Sequence, residues 1–322
     1  MSQPTPRVTI LVPTYNRAGM LLESLKSAVN QTYGNLEILV LDDASSDETA
    51  ATVGAFAIDP RIRYVRRPVN VGIAANWRTG IEMATGEFFC ILHDDDTFEP
   101  TFVEQLLAPL VRDSSLILST CDHWVMDASG VRSVAQTEEA SKHFGRDKLA
   151  CGTIPDWREC CLINLSFPVG ATIFRRSMVL PSFIDERANG AIDYWLYYQC
   201  AKTGAGAYYE TERLMNYRLH AGGMSRIRGE YMTDGHIFRY ESILGDPDMF
   251  VLATSVRRAL ADALISKGMY QLCRGESKGA REALAKGIAY CMTCRGFVTY
   301  VLAHMGKLGP CAVRALKHEP WL

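Results

Sequence analysis

Two kinds of hydrophobic pattern alternate along the first hundred residues. RVTILV (7–12), LEILVL (36–41), IRYV (62–65) and EFFCIL (87–92) are short apolar runs bounded by turn residues, which predicts buried strands. Between them, GMLLESLKSAVNQ (19–31), SDETAATVGAFA (46–57) and GIAANWRTGIEMA (72–84) carry apolar residues at helical spacing, with Ser46 expected as the N-cap of the second. The order βαβαβαβ implies a parallel sheet covered by helices on both faces, with ligands gathering beyond the carboxyl ends of its strands.

Farther along, SLILSTCDHWVMDASGVR predicts a strand, a turn at Ser129–Gly130 and a return strand, followed by loop or short helix over 137–154. FPVGATIFRR (167–176) reads as a strand approaching the site, and GAIDYWLYYQCAKTG (190–204) as a helix opening with Asp193. After residue 225 the pattern is helical, with Gly245–Pro247 as a break. The expected organisation is an α/β domain over 1–225, its nucleotide-binding half within 1–100 and its acceptor half within 101–225, and a helical extension over 226–322.

Placed on that sheet, PTYNR (13–17), DDASSD (42–47), RRPVNVG (66–72) and HDDD (93–96) each follow a strand and fall on one rim. Asp94, Asp95 and Asp96 repel one another at the end of a buried strand, so they call for a counter-charge, and a divalent cation supplies one. A solvated acidic loop is the alternative. Mg²⁺ or Mn²⁺ needs only one or two protein carboxylates, so Asp95 is expected as principal ligand, with Asp94 or Asp96 on a ribose or a metal-bound water. Adjacent strand residues face opposite ways, so all three acids can serve one ion only if the chain turns there. Asp43 can accept the imide N–H of a pyrimidine; a local Asx turn is the other role open to Asp42 or Asp43. Asp193 suits a general base for an acceptor hydroxyl, or a helix-dipole partner. His220, between Arg218 and a glycine pair, suits a metal or diphosphate contact, or a structural role.

Composition narrows the class without naming a chemistry. The 322 residues are 48% hydrophobic and 22% charged, as in ordinary globular proteins. Ten scattered cysteines read as reduced thiols, and the lone Cys291–Cys294 pair lacks a second pair for zinc. No apolar run approaches the roughly 18 residues of a membrane span, and no secretory signal is apparent, so a cytoplasmic protein is expected, at the inner face of the membrane if it touches one. Net charge is −2, but residues 1–250 carry 23 basic and 32 acidic side chains and residues 251–322 carry 11 and 4. The basic tail, GFVTYVLAHMGKLGPCAVRALKHEPWL (296–322) with Lys307, Arg314 and Lys317, suits an anionic bilayer surface; a helical lid or a homodimer contact are the alternatives, and no nucleic-acid partner is expected.

Together VPTYNR (12–17), EILVLDDASSDET (37–49), NVGIAANWRTGIEMATGEF (70–88), ILHDDD (91–96), IDYWL (192–196) and YRLHAGGMS (217–225) resemble the family 2 inverting glycosyltransferases, in that family's order and spacing over residues 7 to about 225. The resemblance implies the GT-A fold, a Rossmann-like, mostly parallel sheet flanked by helices, here with a C-terminal helical extension. It implies a nucleotide-binding set of Pro13, Tyr15, Arg17, Asp43, Gly72 and Asp94, a metal set of Asp95, Asp96 and His220 for Mn²⁺ or Mg²⁺, and Asp193 as base. The implied reaction moves a sugar from a UDP- or dTDP-sugar to a hydroxyl of a glycan or lipid-linked glycan. Two positions depart from the family's usual motifs, His93 where an acid commonly stands and Ile192 where a Glu precedes the base. A binding protein without activity is the alternative within the fold. An Asp-nucleophile phosphohydrolase fits less well, because Thr97 falls one place early, and no G-x-G-x-x-G supports a dehydrogenase.

Overall fold

The computed structural model describes residues 5–223 and 230–304, without the side chains of residues 189, 230, 231 and 294. Lys307, Arg314 and Lys317 of the basic tail, and Met224 and Ser225 of the last motif, lie outside the described residues. The chain forms two compact units, one of residues 1–186 with 196–223 and one of residues 187–195 with 224–322.

The first unit opens as the hydrophobic pattern predicts. Strand β1 (Val8–Thr14), helix α1 (Ala18–Val29), β2 (Leu36–Asp42), α2 (Thr49–Gly54), β3 (Ile62–Arg66), α3 (Gly72–Met83) and β4 (Phe88–Ile91) follow in order. β1 lies between β2 and β4, all parallel, with Ile10 opposite both Ile38 and Cys90. These strands are buried on both faces, so their continuous apolar runs match their position. Helix α2 is not capped by Ser46. Asp47 accepts from the Thr49 N–H at 3.1 Å and from the Thr49 hydroxyl at 2.6 Å, and its other oxygen accepts from the Ala18 N–H at 2.9 Å, so one carboxylate caps two helices.

The remaining elements are β5 (Thr97–Phe98), α4 (Phe102–Arg112), β6 (Leu116–Met126), α5 (Val134–His143), β7 (Gly152–Ile154), α6 (Arg158–Leu162), β8 (Thr172–Arg175), α7 (Ile192–Lys202) and β9 (Gly206–Arg218). The sheet order is β3-β2-β1-β4-β8-β6-β9-β5, with β7 beside β9. β8 runs antiparallel between β4 and β6, and β6 pairs parallel with β9, so β1, β2, β3, β4, β6 and β9 all end at one edge.

Two expectations beyond residue 116 are corrected. The return strand after Gly130 is reduced to a bridge between Met126 and Arg132, because the Ser133 hydroxyl accepts from the Gln136 N–H and starts α5 instead. Only Thr172–Arg175 of the stretch 167–176 is strand; Val169–Ala171 is a 3₁₀ turn. The later part of α7 is fixed by Tyr197, whose hydroxyl lies 2.7 Å from that of Thr172 among the rings of Trp157, Phe167 and Phe174.

The second unit contains α8 (Glu230–Leu244), α9 (Ala253–Cys273), α10 (Ser277–Tyr290) and α11 (Cys294–Ala303). Ile265, Met269 and Leu272 of α9 pack with Ala280 and Leu284 of α10 and with Ala303 of α11. Residues 187–195 belong to this unit: Trp195 packs on Phe238, and Tyr194 lies against His236 and the Arg239 guanidinium. On α11, Phe297, Val298 and Val301 are exposed. No helix among the described residues is long and apolar enough to cross a membrane.

Candidate active site

The carboxyl edge of the sheet is held by loops that brace one another. Asn16 follows β1 with a φ of 53° and Ala44 follows β2 with a φ of 65°, left-handed conformations that cost a non-glycine residue about 1 kcal/mol. Contacts between the loops hold them: the Asn16 N–H donates to the Ser45 hydroxyl at 2.9 Å, and the Ser46 N–H donates to the Asn16 side-chain oxygen at 2.7 Å. Tyr15 is left half exposed on the rim, beside Pro13.

Beyond β4 the chain does turn. The Asp96 N–H donates to the His93 carbonyl at 3.2 Å, which sends the acids in different directions. Asp94 faces the β1 loop, where Arg17 Nη1 donates to its Oδ1 at 3.0 Å and the Tyr15 N–H to its Oδ2 at 3.4 Å. Asp95 Oδ2 receives Arg17 Nη1 at 2.7 Å and lies 3.0 Å from His220 Nε2. Asp96 accepts from the Arg218 N–H at 2.9 Å and lies 3.3 Å from His93 Nδ1. The Arg218 guanidinium, buried at the end of β9, donates to the Asp95 carbonyl and to Glu23. Arg17 also reaches the Gly222 carbonyl at 2.7 Å, and so joins the acidic run to the loop that carries His220.

Burial and these neighbours set the charges. Burial raises the Asp94 carboxyl, more than Arg17 can offset. Burial acts upward on Asp95 too, but His93, His220 and Arg17 together hold it below the usual carboxylate range. Asp96, more deeply buried, is pushed up to about 6 by desolvation, with His93 opposing. His93 is pulled down by burial, yet Asp96 and the two other acids prevail and push it up to about 9.

Asp43 occupies a different part of the edge. Its two oxygens accept from the backbone N–H groups of Val71 and Gly72 at 2.9 and 2.8 Å, which fixes the start of α3. Gly72 has a φ of 83°, a conformation that favours glycine. Asp42 is structural, accepting from the Ser45 N–H and the Tyr64 hydroxyl. An open cleft of about 470 Å³ beside these loops is lined by Ala44, Ser45, Ser46, Arg66, Arg67 and Pro68.

Asp193 lies in the first turn of α7, within the second unit, and its carboxylate accepts from the Tyr194 N–H at 2.8 Å.

A divalent ion fits the turn. His93, Asp95 and Asp96 each offer a donor atom, and the three lie within 4.8 Å of one another. An ion about 2.1 Å from each donor holds them roughly 3.0 to 4.2 Å apart, so a closure of about half an ångström suffices. His93 thus joins Asp95 and Asp96 in the donor group, and His220, expected as the third ligand, lies outside that group with its Nε2 3.0 Å from Asp95 Oδ2. Reasoning from sequence assigned no site role to His93 or Arg218. The signal for both was present, an imidazole at the head of the acidic run and an arginine closing the strand before His220.

The central sheet with its flanking helices matches GT-A glycosyltransferase structures in fold. The family described as Glycosyl transferase family 2 matches residues 9–167 of the chain. An uncharacterized glycosyltransferase of Rickettsia prowazekii is 27% identical over 220 residues, which are 67% of this chain and 65% of that protein. The chain spans less than two thirds of the length of the curated relatives it matches. In fold it is similar to residues 1–349 of S. aureus TarS in complex with UDP-GlcNAc, at a TM-score of 0.66 and 16% identity over 95% of this chain and 89% of that one. It is also similar to the mannosyltransferase PcManGT of Pyrobaculum calidifontis in complex with GDP-Man and Mn²⁺, at a TM-score of 0.55 and 20% identity over 97% and 87% of the two chains.

Proposed function

We propose that the protein is an inverting, metal-dependent glycosyltransferase that moves a sugar from a nucleotide-sugar, a UDP- or dTDP-sugar by preference, to a hydroxyl of a glycan or lipid-linked glycan. The observation that carries this reading is the acidic turn itself, three carboxylates at the carboxyl edge of the sheet with donor atoms of His93, Asp95 and Asp96 converging. TarS with UDP-GlcNAc and PcManGT with GDP-Man and Mn²⁺ support the donor class and the cation.

In this reading Pro13, Tyr15, Arg17, Asp43, Gly72 and Asp94 hold the nucleotide. Asp43 fixes the α3 start through two backbone N–H groups, and a remaining lone pair on its oxygens is free to accept a base N–H. His93, Asp95 and Asp96 would hold a divalent ion, which would neutralise charge on the diphosphate. Arg17 adds a cationic hydrogen-bond donor beside it, and His220 an imidazole. Asp193 takes the proton of the acceptor hydroxyl as that oxygen attacks the anomeric carbon, and the nucleoside diphosphate leaves with inversion.

The division into a catalytic domain over 1–225 and an extension from 226 remains part of this proposal, as does contact of the extension with an anionic membrane at the cytoplasmic face. Exposed Phe297, Val298 and Val301 on α11 support the membrane contact. Failure of the full chain to sediment with anionic vesicles would remove it.

The test of activity is a panel of UDP-, dTDP- and GDP-sugars screened with Mn²⁺ for thermal stabilisation and for release of nucleoside diphosphate. One donor should stabilise the protein and be hydrolysed slowly without acceptor. Asp193→Asn should retain that stabilisation and lose turnover; near-normal turnover in the variant overturns the assignment of the base, and a panel without any stabilising donor overturns the donor reading.

A further inference from the structure

The ring of His93 is positioned by groups other than the acids beside it. It stacks on Trp77, a buried residue of α3, with centroids 5.9 Å apart and an interplanar angle of 21°. Gly170 borders its Nδ1 edge: a Cβ there would lie 3.3 Å from Nδ1, 3.6 Å from Cε1 and 3.0 Å from Met215 Cε. A side chain at 170 would therefore crowd the edge that faces Asp96, and glycine leaves it open. On that edge Nδ1 lies 3.3 Å from an Asp96 oxygen, and one ring nitrogen of His93 lies within 4.8 Å of an oxygen of Asp95 and of Asp96. Asp94, by contrast, is turned to Arg17 and the Tyr15 N–H.

We propose that His93 Nδ1 is a ligand of the divalent ion and selects Mn²⁺ over Mg²⁺ at this site. The inference rests on the metal-dependent reading above and adds to it the identity of the discriminating ligand. Mg²⁺ is a hard ion that takes oxygen donors and keeps much of its water. An imidazole nitrogen is a softer donor, better matched to first-row transition ions, so replacing one oxygen by Nδ1 costs Mg²⁺ more than Mn²⁺. The packing against Trp77 and Gly170 already presents that edge of the ring, so binding the ion requires displacement of a proton from the imidazole and little movement of the ring.

The experiment is pulsed electron paramagnetic resonance on the metal-stripped full chain with Mn²⁺ alone, which reads nitrogen bound to the ion, together with calorimetric titration of Mn²⁺ and Mg²⁺. The native protein and His220→Gln should both show ¹⁴N modulation, and His93→Asp and His93→Asn should lose it. The native preference for Mn²⁺ over Mg²⁺ should be about tenfold and should fall several-fold in His93→Asp, where an all-oxygen donor set returns. Bound Mn²⁺ without ¹⁴N modulation in the native protein, or modulation lost only in His220→Gln, overturns the inference and leaves the metal-dependent reading standing. Native protein that binds no Mn²⁺ at millimolar concentration overturns both. Absence of ¹⁴N modulation in the native protein excludes the ligand without any variant, and modulation retained in His220→Gln assigns it to His93 even if the His93 variants fail to fold.

Discussion

Arg17 Nη1 lies 2.7 Å from Asp95 Oδ2, the same oxygen that His220 Nε2 approaches at 3.0 Å. One carboxylate oxygen thus joins the loop after β1 to the loop after β9, through a guanidinium and an imidazole that are mostly shielded from water. Arg17→Met should leave Asp94 and Asp95 short of a cation, at a cost of about 1 to 2 kcal/mol, and lower the melting temperature by roughly 2 to 6 °C. Added Mn²⁺ should raise the melting temperature of the variant more than that of the native protein. Scanning fluorimetry with and without Mn²⁺ measures both, and equal shifts would contradict the account.

Asp43→Asn tests the attachment of α3. An amide has one acceptor oxygen where the carboxylate uses two, and its NH₂ would meet the N–H of Val71 or Gly72 as donor against donor. Loss of about 1 to 3 kcal/mol is expected in denaturant titration, along with weakened UDP binding in calorimetry. A variant with native stability would mean that these backbone bonds are dispensable.

Asp47→Ala removes the carboxylate that caps both α1 and α2. About 1 to 2 kcal/mol should be lost, as for a substituted cap, measured by denaturant titration. Ser46→Ala should change stability little, because the Ser46 hydroxyl caps neither helix.

Stability should fall with acidification through His123. Burial, followed by the charge of Arg146, pushes this imidazole down to about 3. The unfolded chain binds its proton near 6.5, while the folded chain stays neutral down to about 3. Its contribution is therefore complete above pH 6.5 and is lost as pH falls from 6.5 toward 3. Asp122, which is raised by burial but held low overall by Ser141, Arg146 and its other partners, adds a loss in the same direction below the ordinary carboxylate range. His123→Gln should flatten the dependence of melting temperature on pH between about 4 and 7; an unchanged slope would assign it to other groups.

Strands β1, β2 and β4 and the helices beside them were readable because burial on both sheet faces imposes continuous apolar runs, and exposure of one helix face imposes the other periodicity; β3, at the sheet edge and only partly buried, was readable from its Ile62, Tyr64 and Val65. The acidic run was also readable, but its geometry depended on a turn closed by a backbone hydrogen bond, so which acid faced which partner was not. Ser46 and Asp47 are both good capping residues; a bond from Asp47 to distant Ala18 distinguished them, and local pattern contains no such term. The segment after Gly130 carried residues suitable for a strand, yet Ser133 supplied a helix cap and α5 prevailed. Arg218 was hidden for a similar reason: its partners Glu23, Asp95 and Ala128 lie far away in sequence and meet it only once β9 is paired with β5 and β6.

The interruption of the first unit by residues 187–195 bears on how this chain can be recombined with its relatives. Asp95 and Asp193 lie in different compact units, and the unit holding Asp95 resumes at residue 196. No single crossover separates one unit from the other. A chimera that exchanges the second unit intact requires junctions near residues 186, 195 and 223, and one cut only near 225 would carry Tyr194 and Trp195 away from their own His236, Phe238 and Arg239.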